Sequence, residues 1–227
     1  MSITTLNQPK YTKTLPICEK KVSFRPFTVK ESKIMLLAKD SGLTEDIIDA
    51  TDAILSACTY GKYNLDNLDK VDVEYLFIQI RNKSQGETVD IHGICQECKN
   101  RVPLTLNFDN IVLAGERKQK PIKILDDVFI TLKTPSIRDT LTLKDGDGVM
   151  AIAMSLDTIL EGSTSKNAAD YSVEERVEFV ESLTESQLKS IEEFFKNAPR
   201  LTLKESFTCK CGKENNITID ELENFFS

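Results

Sequence analysis

Two cysteine stretches, Cys95-Gln96-Glu97-Cys98 and Cys209-Lys210-Cys211-Gly212, lie far apart in the sequence, and each stands at a turn between strand-like segments. Thiolates are soft ligands that hold zinc tetrahedrally, and a site with four of them is closed and structural rather than catalytic. If both pairs bind one ion, the metal site joins two turns that lie about half of the chain apart in sequence. We therefore expect one body with an insertion between the two pairs.

The spacing of the cysteines agrees with a zinc ribbon only in part. The first pair has the usual two intervening residues, whereas the second has one, followed by Gly212, which suits a turn with positive φ. His92 is an alternative ligand, although a lone His on a strand is more often a surface residue. Four reduced thiols, or a bridge formed by oxidation, would show the same spacing without metal. The predicted zinc ligands are Cys95, Cys98, Cys209 and Cys211.

The chain is acidic, with 36 acidic and 29 basic side chains among 227 residues and a formal net charge of −7. This balance is poorly suited to binding a phosphate backbone by counterion release, so nucleic acid is not an expected partner. No apolar run approaches the roughly 18 residues of a membrane span, and the polar N-terminal stretch lacks the features of a secretory signal. We expect a reducing compartment, where cysteines bind metal more often than they form disulfides.

Helical periodicity dominates two regions of the chain, and capping-box spacing marks three helix starts, at Thr28, Ser172 and Thr184. The polar stretch 161–171 is expected to form a loop. The predicted helices cover residues 28–42, 44–58, 71–83 and 147–160, with two more that begin at Ser172 and Thr184.

Alternating polar and apolar residues predict strands on both sides of each cysteine pair. The predicted strands cover residues 22–24, 88–94, 102–108, 122–125, 128–132, 201–208 and 216–219. The fold class is therefore α+β, with a helical N-terminal part, a β-rich zinc-ribbon-like centre closed by C-terminal strands, and a helical insertion. The predicted ranges are an extended arm at 1–21, the helical part at 22–85, the ribbon-like unit at 86–134 plus 200–227, and the insertion at 135–199.

The residues for catalysis are scarce. A single His cannot build the common acid–base or His-rich metal sites, and no Gly-rich phosphate loop occurs. Asp145-Gly146-Asp147-Gly148 resembles a calcium loop, but Val149 and Leu156 stand where an EF-hand requires carboxylates, so we interpret the stretch as a turn that caps a helix. We therefore expect that the protein is not an enzyme.

Adjacent Phe residues occur at Phe194-Phe195 and Phe225-Phe226. Neighbours on a helix diverge by about 100°, so both members of a pair are not expected to face the same core. Phe226 is accordingly a candidate for burial between subunits, and an oligomer is compatible with the sequence.

Four stretches share the order and spacing of one protein family. They are residues 22–34 (VSFRPFTVKESKI), 73–81 (VEYLFIQIR), 84–87 (SQGE), and a tail with Phe194-Phe195, Pro199, residues 207–212 (FTCKCG) and Phe225-Phe226. In these stretches the chain resembles the baseplate hub subunit and hub assembly family of T-even (T4-like) contractile-tailed bacteriophages. The residues that match the family pattern, and that we interpret as structural, are Arg25, Glu31, Tyr75 and Arg81.

The resemblance implies a non-catalytic role in building the central hub of the tail baseplate. Other baseplate hub or tail proteins are the implied partners, in the host cytoplasm during assembly and in the virion baseplate if the protein is retained there. A rival hypothesis is a zinc-ribbon nucleic-acid-binding or transcription accessory protein, which the cysteine pairs favour and the acidic balance opposes. A third is a thiol redox enzyme that uses Cys95 and Cys98.

Overall fold

The computed structural model describes residues 6–116, 120–139, 143 and 147–219. The described residues form two compact units, the first within Met1–Ala114 and Arg200–Ser227 and the second within Gly115–Pro199. Both units contain helices and strands, which confirms the predicted α+β class.

The first unit begins with an antiparallel hairpin of two short strands, followed by three helices. The hairpin places a strand within the predicted extended arm, because Tyr11 pairs with Phe24 and Thr14 with Lys21. The buried Asp72 carboxylate accepts the backbone N–H groups of Ile17, at 2.7 Å, and of the next residue, at 2.9 Å. The elements are β1 (Tyr11–Thr14), β2 (Lys21–Phe24), α1 (Val29–Ser41), α2 (Thr44–Cys58) and α3 (Lys70–Gln85).

The start of α1 is stabilised by an ion pair between the buried Glu31 and the half-buried Arg25, in addition to its predicted capping box. The Glu31 carboxylate accepts the Thr28 backbone N–H at 2.7 Å and a guanidinium N–H of Arg25 at 3.0 Å. Burial by itself would raise the pKa of Glu31, but the hydrogen bonds from Arg25 and Thr28 outweigh it and lower the pKa to about 2. The helix ends at Gly42, whose φ of 68° favours glycine.

Three strands complete this part of the first unit. β3 and β4 form the predicted antiparallel hairpin, in which Val89 pairs with Leu106. One face of the hairpin contributes Leu106 to a buried cluster with Ile78 of α3. The strands are β3 (Thr88–Ile94), β4 (Arg101–Asn107) and β5 (Val112–Ala114).

As far as the structure describes it, the second unit contains a four-stranded antiparallel sheet and three α-helices. Its strands follow the order β6-β7-β8-β9, and the helix starts at Ser172 and Thr184 have the predicted capping boxes. The elements are β6 (Ile122–Lys123), β7 (Val128–Leu132), α4 (Gly148–Ser155), β8 (Leu156–Glu161), β9 (Thr164–Asn167), α5 (Val173–Glu181) and α6 (Glu185–Asn197).

Two sequence predictions for this unit are wrong. The helix predicted for 147–160 ends at Ser155, because the residues that follow pair with β7 on one side and β9 on the other. The β-branched Thr158 and Ile159 favour that strand, and sheet pairing overrides the helical spacing. The predicted loop at 161–171 contains β9.

Asp147 accepts the backbone N–H of Met150 at 2.9 Å, which confirms the capping turn, while Asp145 and Gly146 lie outside the described residues. Phe194 is buried in one apolar cluster, and the partly buried Phe195 packs against the same cluster, contrary to our expectation. Phe226 lies outside the described residues.

After the second unit, the chain returns to the first unit and adds two strands to β5. The resulting sheet has the order β11-β10-β5, and Arg200 at the start of β10 pairs with Ala114 at the end of β5. Leu201 and Leu203 are buried in the cluster that also holds Leu106. The two strands are β10 (Arg200–Thr208) and β11 (Glu214–Ile219).

Within the part of the chain that the structure describes, none of the helices has both the length and the apolar character needed to cross a bilayer.

Substituting Glu31→Gln should lower the free energy of unfolding by about 1–3 kcal/mol at pH 7, because the charged hydrogen bonds at the start of α1 are weakened. Since the pKa of Glu31 is depressed in the fold, its stabilisation is present above its ordinary value of 4.5 and is lost as the pH falls towards about 2. Urea unfolding should therefore show a smaller difference in the free energy of unfolding between the native protein and the Glu31→Gln variant at pH 3 than at pH 7. The control is Glu45→Gln, an exposed carboxylate in the first turn of α2. Equal effects of the two substitutions at pH 7 would contradict the role of Glu31.

Candidate metal centre

The first cysteine pair lies in the tight turn between β3 and β4. The Cys95 backbone N–H donates to the Asn100 carbonyl at 2.9 Å, which closes the hairpin. The Lys99 N–H donates to the Cys95 carbonyl at 3.0 Å, and Lys99 has a φ of 59°. The turn therefore folds back within a few residues and keeps Cys95 and Cys98 close to each other.

The second pair occupies a shorter turn between β10 and β11. The Cys209 N–H donates to the Lys213 carbonyl at 2.9 Å, and the Gly212 N–H donates to the Cys209 carbonyl at 2.8 Å. Gly212 has a φ of 87°, in the left-handed region that glycine adopts without strain. Gly212 therefore permits the turn, as the sequence predicted. The one-residue spacing of Cys209 and Cys211 is compatible with a closed hairpin.

The structure brings all four predicted ligands together. The Sγ atoms of Cys95 and Cys211 are 3.7 Å apart, those of Cys98 and Cys209 are 3.5 Å apart, and all four lie within 4.8 Å of one another. A tetrahedral site with Zn–S bonds of 2.3 Å places its sulfurs about 3.8 Å apart. The donor set and its separations therefore fit a four-thiolate zinc site.

Within each pair the first cysteine is buried and the second is exposed, and His92 stands apart from both pairs. Cys95 and Cys209 are buried, whereas Cys98 and Cys211 are exposed. His92 pairs with Pro103 in the β3–β4 hairpin and does not belong to the ligand cluster found among the described residues.

Asn215 is a buried residue of the site that sequence reasoning missed. Its amide nitrogen lies 3.6 Å from the Cys95 sulfur, and its carbonyl oxygen accepts the Gln96 backbone N–H at 2.9 Å. The same amide donates to the Lys213 carbonyl at 3.0 Å, so Asn215 connects the two hairpin tips. The sequence held one indication of this role: strands disfavour Asn, and Asn215 lies in a strand just after the second cysteine turn.

The environment of the cluster favours a thiolate at Cys95. The backbone N–H of Cys98 lowers the pKa of Cys95 to about 6, against the opposing effect of burial, and the thiols of Cys98 and Cys211 act in the same direction. The Asn100 N–H favours ionisation of Cys98, but its contacts with Cys209 and Cys211 raise its pKa. Thiols this close share protons, which a divalent cation would displace.

A glycine allows the two hairpins to approach each other. A Cβ atom at Gly93 would lie 2.7 Å from Cε1 of Phe207 and 2.8 Å from Cδ1 of Leu104. Gly93 and Phe207 each stand two residues before the first cysteine of a pair. The ring packed on the glycine thus sets the separation of the strands that end in the two cysteine turns.

The other two cysteines lie away from the cluster. Cys58 is buried in α2, as its apolar context predicts, and burial raises the pKa of its thiol to about 11. Cys18 is exposed. Cys18 therefore offers a thiol outside the cluster for comparison with the exposed cluster members.

A profile described as T4 bacteriophage base plate protein matches residues 8–227. The chain belongs to this family. This baseplate-family chain is 24% identical over 206 residues to the baseplate hub assembly protein gp26 of Enterobacteria phage T4. The aligned region covers 90% of this chain and 92% of that protein. No solved structure matches it significantly. The family resemblance found in the four sequence stretches is therefore confirmed.

In the baseplate-family chain, Gly93→Ala should cost about 1–3 kcal/mol in the free energy of unfolding, because the added methyl group displaces the Phe207 ring. Gly148→Ala is the matched control, since a Cβ there meets no atom within 4 Å. Urea unfolding measures the stability of both variants. A Gly93→Ala protein as stable as the Gly148→Ala protein would show that the Phe207 ring does not set the separation of the hairpins.

Proposed function

We propose that this protein is a non-enzymatic component or assembly factor of a phage tail baseplate hub and acts through protein–protein contacts. The observation that supports this most strongly is the family match across residues 8–227. The similarity to a T4 protein named for baseplate hub assembly points the same way. Its partners are other baseplate hub or tail proteins, which it meets in the host cytoplasm and, if it is retained, in the virion baseplate.

The chemistry of the chain supports a role without catalysis. The sequence contains one His, which pairs with Pro103 in the β3–β4 hairpin and is not part of the metal-ligating cluster found among the described residues. Four sulfur ligands would saturate zinc and leave no position for a reactive water. The net charge of −7 supports protein rather than nucleic-acid partners.

A structural zinc ion bound by the four cysteines is part of this proposal. It is supported by the sulfur separations of 3.5 and 3.7 Å and by the pair of hairpin turns that present the thiols. The ion would be bound by Cys95 and Cys98 from one hairpin and by Cys209 and Cys211 from the other. By binding two thiolates from each hairpin, the ion would link the two hairpin tips.

The protein purified without chelator should contain one zinc ion per chain, measured by native mass spectrometry together with elemental analysis. The double variant Cys98→Ser/Cys211→Ser should retain less than about a tenth of that zinc, because two of the four ligands are lost. It should also unfold at a lower temperature, since metal binding stabilises the folded state. Cys18→Ser, which removes an exposed thiol outside the cluster, should keep full occupancy. A metal-free native protein with reduced thiols would refute the zinc site.

Affinity-tagged protein from infected cells should co-purify with baseplate hub or tail proteins, identified by mass spectrometry, because the proposed role is docking into the hub. The same tagged chain expressed without infection and mixed with host lysate is the control. Nucleic acid retained with a steep salt dependence, in the absence of any tail component, would instead favour a zinc-ribbon nucleic-acid-binding protein.

A further inference from the structure

A groove of about 340 Å³ in the first unit is lined by residues of α1, α2, α3 and the β3–β4 hairpin. Its deepest lining is apolar, since Ile54, Phe77 and Leu106 are each only 1–2% exposed. Polar side chains, among them Ser32 and Gln85, share the rest of the lining with apolar ones. Clefts that bind ligands have volumes of roughly 300–1,000 Å³, and this groove falls within that range. We call it the α1 groove; its lining also includes Leu36, Lys39, Arg81, Val89 and Phe108.

The charged side chains that line the α1 groove are cations. Among the described residues, Lys39 and Arg81 line it and no carboxylate does. The Arg81 guanidinium packs 4.8 Å from the centroid of the Phe108 ring and donates to the Gly86 carbonyl at 2.9 Å, and both contacts fix its position. Burial lowers the pKa of Arg81, and no carboxylate of the described chain opposes that effect. The groove therefore presents a positioned positive charge that a carboxylate would complement.

The outer surface of α1 continues both properties beyond the groove. Val29 and Leu36 stand two helical turns apart on one face and are 74% and 59% exposed, and Leu37 is 69% exposed. The exposed charged residues of this helix are Lys30, Lys33, Lys39 and Asp40. The surface of α1 is thus positive in a chain whose net charge is −7. Exposed apolar side chains rimmed by charges are typical of a protein interaction surface, and their extent exceeds what a small ligand would cover.

The α1 groove offers side chains, and not a strand edge, to a binding partner. Residues of α1 line it at the spacing i, i+3, i+4 and i+7; they are Ser32, Met35, Leu36 and Lys39. An extended segment gains most of its affinity from backbone hydrogen bonds at a strand edge. An amphipathic helix satisfies its own backbone and inserts side chains between those of the groove. The lining therefore favours a helix.

We infer that the α1 groove binds an amphipathic helix of a second protein, with the apolar side chains of that helix on the groove floor and its acidic side chains at Arg81 and Lys39. The inference rests on the proposed function, because it assigns a docking surface to a protein that acts through contacts with other proteins. It adds the chemistry of the partner, which is an apolar helix face flanked by carboxylates.

Three synthetic peptides with one helical pattern test this chemistry on the full chain. The acidic peptide carries Leu or Phe at positions i, i+3, i+4 and i+7 with Glu at the flanking positions. The basic peptide has Lys in place of each Glu, and the polar peptide has Ser in place of each Leu and Phe. In fluorescence anisotropy the acidic peptide should bind at least tenfold more tightly than either of the others. Because the whole chain is acidic, non-specific attraction would favour the basic peptide instead.

Two matched pairs of substitutions locate the binding site. Leu36→Ser should weaken binding of the acidic peptide, whereas Leu125→Ser, which alters an equally exposed leucine of the second unit at 59%, should not. Arg81→Gln should weaken binding about tenfold, the loss expected for one charge-assisted hydrogen bond. Arg101→Gln removes the same charge from an exposed position of β4 outside the groove lining and should leave binding unchanged. Thermal unfolding of each variant verifies that it is folded.

A charge reversal separates recognition from a structural effect. Lys39→Glu should weaken binding of the acidic peptide and strengthen binding of the basic peptide, because the sign of the charge at the rim of the groove changes. Lys189→Glu makes the same change at an exposed position of α6 and should alter neither affinity. A general loss of structure would weaken binding of both peptides and could not exchange their order.

Tagged native and Leu36→Ser chains from infected cells distinguish this inference from the proposed function. The native chain should retain a baseplate hub or tail protein that the Leu36→Ser chain loses. If both chains retain the same tail proteins, the inference fails and the proposed function stands. If the native chain retains none, the proposed function fails, and the peptide affinities alone decide whether the groove binds an acidic helix.

The peptide measurements can also overturn the inference. Equal affinities for the acidic and basic peptides, or a Kd of the acidic peptide above about 1 mM, would exclude the proposed partner chemistry. Binding of dodecanoate that Arg81→Gln abolishes, without binding of the acidic peptide, would assign the groove to a free amphiphile. A native dimer that becomes monomeric in the Leu36→Ser variant, seen by sedimentation, would assign the groove to a second copy of this chain.

Discussion

The sulfur atoms of Cys98 and Cys209 lie 3.5 Å apart, although 111 residues separate them in sequence, and this approach of two hairpin tips constrains the whole first unit. It requires β10 and β11 to return to the hairpin formed by β3 and β4 after the chain has completed the second unit. The entropy of closing a flexible loop grows only slowly with its length, so a long intervening segment is tolerated. The packing of Phe207 on Gly93 and the hydrogen bonds of Asn215 add direct contacts between the same two hairpins.

Features with a local physical cause could be predicted from the sequence. The alternation around both cysteine turns gave the correct hairpins, because each strand pairs with its neighbour across a short turn. The capping boxes at Thr28, Ser172 and Thr184 gave correct helix starts, because the stabilising hydrogen bonds lie within one helical turn. The convergence of the cysteines could be predicted from ligand chemistry, although nothing in the sequence specifies the separation of their sulfurs.

Features that depend on distant partners were missed. Residues 156–161 have apolar spacing compatible with a helix, and only their pairing with strands on both sides makes them β8. Asn215 has no local signature of its role, because Gln96 and Cys95 reach it from a hairpin far away in sequence. Carboxylates show the same dependence on environment. Glu31 and Glu74 are both largely buried. The pKa of Glu31 is lowered because Arg25 contacts it at 3.0 Å. The pKa of Glu74 is raised to about 7 by burial, because Lys70, at 3.9 Å, only partly offsets that effect.

The pairing of Ala114 with Arg200 has a consequence for how this protein can evolve. The chain leaves the sheet of the first unit at the end of β5 and resumes it at the start of β10, on directly opposed residues about 5 Å apart. A peptide of a few residues could bridge that distance. Natural variation can therefore enlarge, shrink or exchange the intervening segment while strand order, side-chain alternation and the cysteine geometry stay unchanged.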